Sequence, residues 1–144
     1  MKTHPFQLAD WHRRSLYLTG LTLLLTGAVW TWIHRLDEAR EASDAMRSLK
    51  PWLLAAHGSV APLFALLVGA LIPVHVRVAW NAGRNRGTGM VILGVMGTLI
   101  LSGHALYYVG GETWRNGLSW FHLVIGLAAP ILLAWHIRAG RRAS

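Results

Sequence analysis

Four long apolar stretches, roughly residues 16–33, 52–76, 88–109 and 118–136, take up most of this 144-residue chain. At 1.5 Å per residue, each approaches or exceeds the ~30 Å hydrocarbon thickness of a bilayer. Backbone amides in hydrocarbon find no water to bond, so a spanning segment is either a helix or a strand of a closed barrel. Stretches of this length and continuity predict helices. With only 14% of residues charged and 53% hydrophobic, the chain is too apolar for an ordinary soluble domain. The expected fold is therefore all-α: an integral membrane four-helix up-down bundle, forming a single membrane domain over residues 1–144 with lipid around it. Little chain remains for a soluble catalytic module.

The formal charge of +8 invites a nucleic-acid reading, but its distribution points to topology. Lys2, Arg13, Arg14, Arg77, Arg84, Arg86, Arg138, Arg141 and Arg142 fall on one side of a four-span arrangement. Arg35, Arg40, Arg47, Lys50 and Arg115 fall on the other, beside Asp37, Glu38, Glu41, Asp44 and Glu112. Basic excess marks the cytoplasmic side, so both termini are expected to be cytoplasmic and no nucleic-acid partner is needed. Tryptophan agrees with this layout. Trp11, Trp80 and Trp135 map to the inner boundary, and Trp30, Trp32, Trp52, Trp114 and Trp120 to the outer one, as membrane-interface aromatics do. The first apolar run is longer than a signal-peptide core and lacks a clear cleavage site, so it reads as a retained anchor.

Residues 34–50 form the one long connection. Asp37/Arg40, Arg40/Asp44 and Asp44/Arg47 stand at helical spacing, while Ala39, Ala42, Met46 and Leu49 share a face. A short amphipathic helix at the outer surface is expected here, with Pro51 opening the next span. It is either a solvated connector or a docking surface for an outer-face partner. Residues 81–89 and 110–117 read as short inner and outer turns. Three span prolines each follow a glycine four residues back: Gly58/Pro62, Gly69/Pro73 and Gly126/Pro130. Proline leaves that carbonyl unbonded, so bends are expected at all three.

Ionisable residues inside a span are costly and usually functional. His57 and His75 share one apolar stretch, and His122 and His136 another. At about 100° per residue, eighteen residues return His75 to the face of His57, and fourteen bring His136 within about 40° of His122. Spans two and four run in the same direction, so the four imidazoles form an outer layer (His57, His122) and an inner layer (His75, His136). Two ligands per layer, with no thiolate or carboxylate, are too few for zinc, which takes three or four. Haem iron needs only two axial ligands, and bis-histidine ligation suits electron transfer. The chain contains no cysteine, so haem would be held non-covalently. Gly94 and Gly97 on span three, and Gly126 on span four, leave room beside a planar group or allow close helix packing. His104 stands near the outer layer with three roles open: replacing His57 as ligand, bonding a haem propionate, or exchanging protons with a quinone. The last two are favoured. Arg47, Lys50 and Arg115 outside, and Arg77, Arg84 and Arg138 inside, are candidates to neutralise propionates. His4, His12 and His34 are expected to be surface residues.

The segment GTLILSGHALYYVGGETWRNGLSWFHLVIGLAAPILLAWHIRAGR, residues 97–141, resembles the bacterial di-haem membrane cytochrome b group. That group includes cytochrome b561-type proteins and the cytochrome b subunits of membrane hydrogenases and formate dehydrogenases. The resemblance rests on the Ser-Gly of span three, the Tyr-Tyr near its end, the FH…G opening of span four and its WHI close. It implies a bacterial inner-membrane location and electron transfer through two b haems, between quinone and a periplasmic redox protein or dehydrogenase. By the same motifs His122 and His136 look like iron ligands, with His57 and His75 their partners. Two further readings stand beside this one: a haem-containing anchor subunit of a periplasmic redox enzyme, and a histidine-lined metal or proton transporter. Scarce intramembrane carboxylates disfavour the transporter.

Overall fold

The computed structural model describes residues 8–142. Among them every regular element is helical, and four helices are long and apolar enough to cross a membrane. In chain order these elements are α1 (Asp10–Glu38), α2 (Asp44–Leu71), a π-helical turn (Ile72–Val76), α3 (Arg77–Asn81), α4 (Arg86–Ala105) and α5 (Glu112–Arg142). The rod from Asp44 to Asn81 counts as one 38-residue candidate span. Large apolar side chains point outward: Leu66, Leu101 and Ile131 are 72–73% exposed. Such a surface suits lipid rather than water. Packing divides the chain into two compact units, residues 9–69 and residues 70 onward together with Leu8.

In the first unit α1 runs past its apolar stretch to Glu38 and stops on a left-handed residue, Arg40 (φ 61°). The Glu41 N–H donates to the Leu36 carbonyl at 2.8 Å and the Arg40 N–H to that of Asp37 at 3.0 Å. This Schellman arrangement satisfies carbonyls that the helix end would otherwise leave open. The Ser43 hydroxyl then accepts the Met46 N–H at 3.3 Å and caps α2. The reversal therefore uses only residues 39–43. No separate surface helix forms over residues 34–50, and Pro51 lies inside α2 rather than opening it.

The expected ion pairs are rearranged accordingly. Asp44–Arg47 forms at 2.8 Å, but Arg40 is spent on the turn. Asp37 instead reaches across the reversal to Arg47 and Lys50, each at 2.8 Å. Lys50 also donates to His34 Nδ1 at 3.2 Å and lies 6.0 Å from the Trp30 ring centre. Helical spacing foresaw pairs along one helix. Chain reversal made pairs between two.

In the second unit Pro73 has no N–H to continue the α ladder. The helix widens, and the Arg77 N–H bonds the Ile72 carbonyl five residues back. The α-helix runs unbroken through Pro62 and Pro130, so α geometry is lost at one of the three prolines. That one lies between His57 and His75, so a uniform 100° count does not carry from one to the other. The α3–α4 turn is residues 82–85, with Gly83 and Asn85 at φ 71° and 49°. Arg86 anchors it by donating to the Trp80 carbonyl at 2.9 Å. α4 ends at Ala105 and α5 starts at Glu112, so Val109 falls in the α4–α5 turn and Gly117 inside α5. α4 and α5 pack antiparallel. Asn85 lies against Gly140 at one end, where an added Cβ would come within 2.9 Å of Asn85 Nδ2, and Leu99 lies against Gly126 midway.

Candidate functional site

α5 carries His122 and His136 fourteen residues apart, about four turns or ~21 Å along the axis. α4 carries two hydroxyl-glycine steps, Thr88-Gly89 and Ser102-Gly103, also fourteen apart. Because the helices are antiparallel and the spacings match, each step meets one imidazole. Ser102 Oγ lies 2.8 Å from His122 Nδ1, and Thr88 Oγ1 lies 2.9 Å from His136 Nδ1. The neighbouring glycines make room for the rings. A Cβ on Gly103 would come within 3.1 Å of His122 Cε1, and one on Gly89 within 3.8 Å of His136 Cε1.

The other unit repeats the setting with different helices. Thr26 Oγ1 lies 3.0 Å from His57 Nδ1. A Cβ on Gly27 would meet His57 Cε1 at 3.2 Å. Three of the four expected ligand histidines thus share one local construction. A fourth such step, Thr19-Gly20, faces Phe64 at 3.5 Å instead of a histidine.

With a hydroxyl at Nδ1, Nε2 is the ring nitrogen left open to a ligand. Thr26 Oγ1 donates its one proton back to the Thr22 carbonyl at 2.7 Å, as hydroxyls in apolar helices commonly do. With that proton committed, the oxygen is open to accept a bond from His57 Nδ1–H, an arrangement that leaves the lone pair on Nε2. Thr88 and Ser102 have carbonyls of their own helix within reach, Asn85 at 3.4 Å and Leu99 at 3.3 Å, and can take the same role. An imidazole with Nδ1–H bonded and Nε2 basic is the form that coordinates a metal, with the hydroxyl holding ring orientation. The donor set therefore fits axial ligation of haem iron.

His75 is placed differently. It sits half-buried on the π turn, within electrostatic range of His136 in the same unit. Among the described residues its ring has no hydroxyl partner. His104 is exposed and tilts over Tyr108, with ring centres 5.1 Å apart. Its stripe does not face α5: Leu101 is 72% exposed, and a Cβ on Gly94 or Gly97 would meet nothing within 4 Å. The glycines that touch imidazoles are Gly27, Gly89 and Gly103. A hydroxyl residue directly before the glycine is the sequence signal that they share. Arg77, Arg115 and Arg138 are exposed at helix ends.

His12 is not the surface residue expected. It is 6% exposed, and Nε2 donates to the Leu67 carbonyl at 2.9 Å. His34 is half-exposed, stacked on Trp30 with ring centres 4.8 Å apart, and bonded to Lys50. His4 lies outside the described residues. Among the described residues no three His, Asp or Glu side chains converge on one point as a protein-only metal site requires. No protein-family model, curated protein or solved structure matches the chain, so the histidine settings stand on their own chemistry.

Proposed function

We propose that this chain is a transmembrane electron carrier that binds two b-type haems, with His57, His75, His122 and His136 as axial ligands. It resides in the bacterial inner membrane as an up-down bundle with both termini cytoplasmic, and links the quinone pool to a periplasmic redox partner. The observation that carries the reading is the hydroxyl-glycine setting repeated at three imidazoles on two helix pairs, α1–α2 and α4–α5. Each hydroxyl can accept a hydrogen bond from Nδ1–H, each glycine clears a path for the ring, and the Nε2 lone pair is then left to ligate. Haem bound by two imidazoles supplies a one-electron couple with little change in ligation between oxidation states. Arg77 and Arg138 on the inner side, and Arg115 on the outer, are the candidates to neutralise propionates.

The transporter reading gains nothing from the fold. All six carboxylates, Asp10, Asp37, Glu38, Glu41, Asp44 and Glu112, occupy helix ends or the short reversal after α1, so no span interior compensates a travelling cation. A pyridine haemochrome assay on protein purified from haem-replete cells tests the proposal. Two acid-acetone-extractable haems per chain with low-spin reduced spectra are expected. Protein without haem refutes it, and a single haem favours the anchor-subunit reading.

A further inference from the structure

Three of the four histidines have Nδ1 on a hydroxyl: His57 on Thr26, His122 on Ser102 and His136 on Thr88. His75, on the Pro73 π turn, has none among the described residues. We infer that Thr26, Thr88 and Ser102 are positioning residues that tune reduction potential, and that the missing fourth hydroxyl makes the two haems unequal. This rests on the haem-binding function proposed above.

The physical chain is short. A hydroxyl accepting the Nδ1 proton draws that proton away from the ring and makes Nε2 a stronger electron donor. Stronger donation stabilises ferric over ferrous iron, so each such bond lowers the potential of the haem concerned. The haem that His75 ligates has at most one hydroxyl-backed ligand. The other draws both of its ligands from the hydroxyl-backed set. The His75 haem therefore has the higher potential of the two, and electrons run downhill toward it. With His75 near the cytoplasmic end of its rod, the favoured flow is inward, from the periplasmic side.

Spectroelectrochemical titration of the purified full-length protein tests this. Thr88→Val, Ser102→Ala and Thr26→Val should each retain both haems. Each should favour the ferrous form of one haem by about threefold to tenfold, the scale of one hydrogen bond, tenfold being 59 mV for a one-electron couple. Thr88→Ser, which keeps the oxygen, should restore the native value. Thr19→Val, whose hydroxyl bonds only the Ser15 and Leu16 carbonyls, should change nothing. In unmutated protein, the higher-potential component should be the one that His75→Ala removes. Haem-replete variants with unshifted potentials, or a His75 haem at the lower potential, overturn the inference while leaving haem binding intact. If a variant loses its haem, the unmutated protein decides. In the diamagnetic reduced state three of the four ligand Nδ1–H protons should exchange slowly with D2O and one fast. Four alike would overturn it.

Discussion

Ser102 and His122 stand twenty residues apart in the chain and 2.8 Å apart in space, hydroxyl oxygen to Nδ1. Gly103, next to that hydroxyl, is the closest glycine to the same ring. One dipeptide thus supplies both the bond and the clearance.

Gly103 should be intolerant of bulk for that reason. Gly103→Val drives branched carbons into a ring whose Cε1 is already 3.1 Å from where a Cβ would sit. We expect loss of the His122 haem, retention of the other, and destabilisation of about 1–3 kcal/mol, typical of overpacking. Gly97→Ala, directed into open space, should leave haem content unchanged. Haem-to-protein ratios of the two variants check this, and equal loss from both would reject the seating role.

Ligand assignment makes a sharper division. His122→Ala and His136→Ala should each remove one haem, and His57→Ala and His75→Ala should do likewise. His104→Ala should keep two low-spin haems, because His104 is exposed and packs on Tyr108 rather than on α5. A five-coordinate signal in His104→Ala would reassign the ligands.

His12 predicts a purely structural phenotype. His12→Leu keeps apolar bulk but deletes the donor to Leu67, and should lower stability by about 1 kcal/mol with the spectra unaltered. His12→Gln, able to donate again, should recover part of that. Thermal unfolding in detergent, followed at a protein and a haem band, separates the two readouts.

The Asp37 cluster should be salt-sensitive. Asp37→Asn weakens two 2.8 Å ion pairs at the mouth of the α1–α2 reversal, and a modest drop in unfolding temperature is expected. Partly exposed pairs are screened by salt, so the difference from the unmutated protein should shrink in 1 M NaCl. A salt-independent difference would show that the carboxylate acts by shape rather than charge.

Topology can be read directly, since the chain has no cysteine. A single cysteine at Ser43, in the α1–α2 reversal, should react with a membrane-impermeant thiol reagent on intact spheroplasts. One at Ala82, in the α3–α4 turn, should not. The opposite pattern would invert the chain and move the proposed redox partner to the cytoplasm.

Much of this fold was legible from apolar run length, because hydrocarbon allows the backbone few alternatives. Helix ends were not. α1 overran its apolar stretch because a left-handed Arg40 with a Schellman bond pair, rather than a proline, stops it. Proline content alone did not tell where α geometry gives way: Pro62 and Pro130 lie within α-helix, and Pro73 is the one that widens its turn. The histidines were visible as costly residues in apolar spans, but their partners were not. Small residues at helical spacing drew attention to Gly94 and Gly97, whereas contact with an imidazole belongs to glycines that directly follow a hydroxyl residue. His12 was misread because a histidine near a basic N-terminal segment looks solvated until the facing Leu67 carbonyl is known.

The equal fourteen-residue spacings on α4 and α5 act as a ruler, and a ruler fails in a characteristic way. Deleting one residue between Gly89 and Ser102 would turn one end of α4 by about 100° against the other while keeping every apolar residue in the membrane. One imidazole would keep its hydroxyl and the other would face the wrong side of the helix. Substitutions in this stretch can therefore drift freely among apolar residues, but its length cannot. A chain of the same ancestry should vary here in letters and never in count, unless it has also changed the distance between its two α5 histidines.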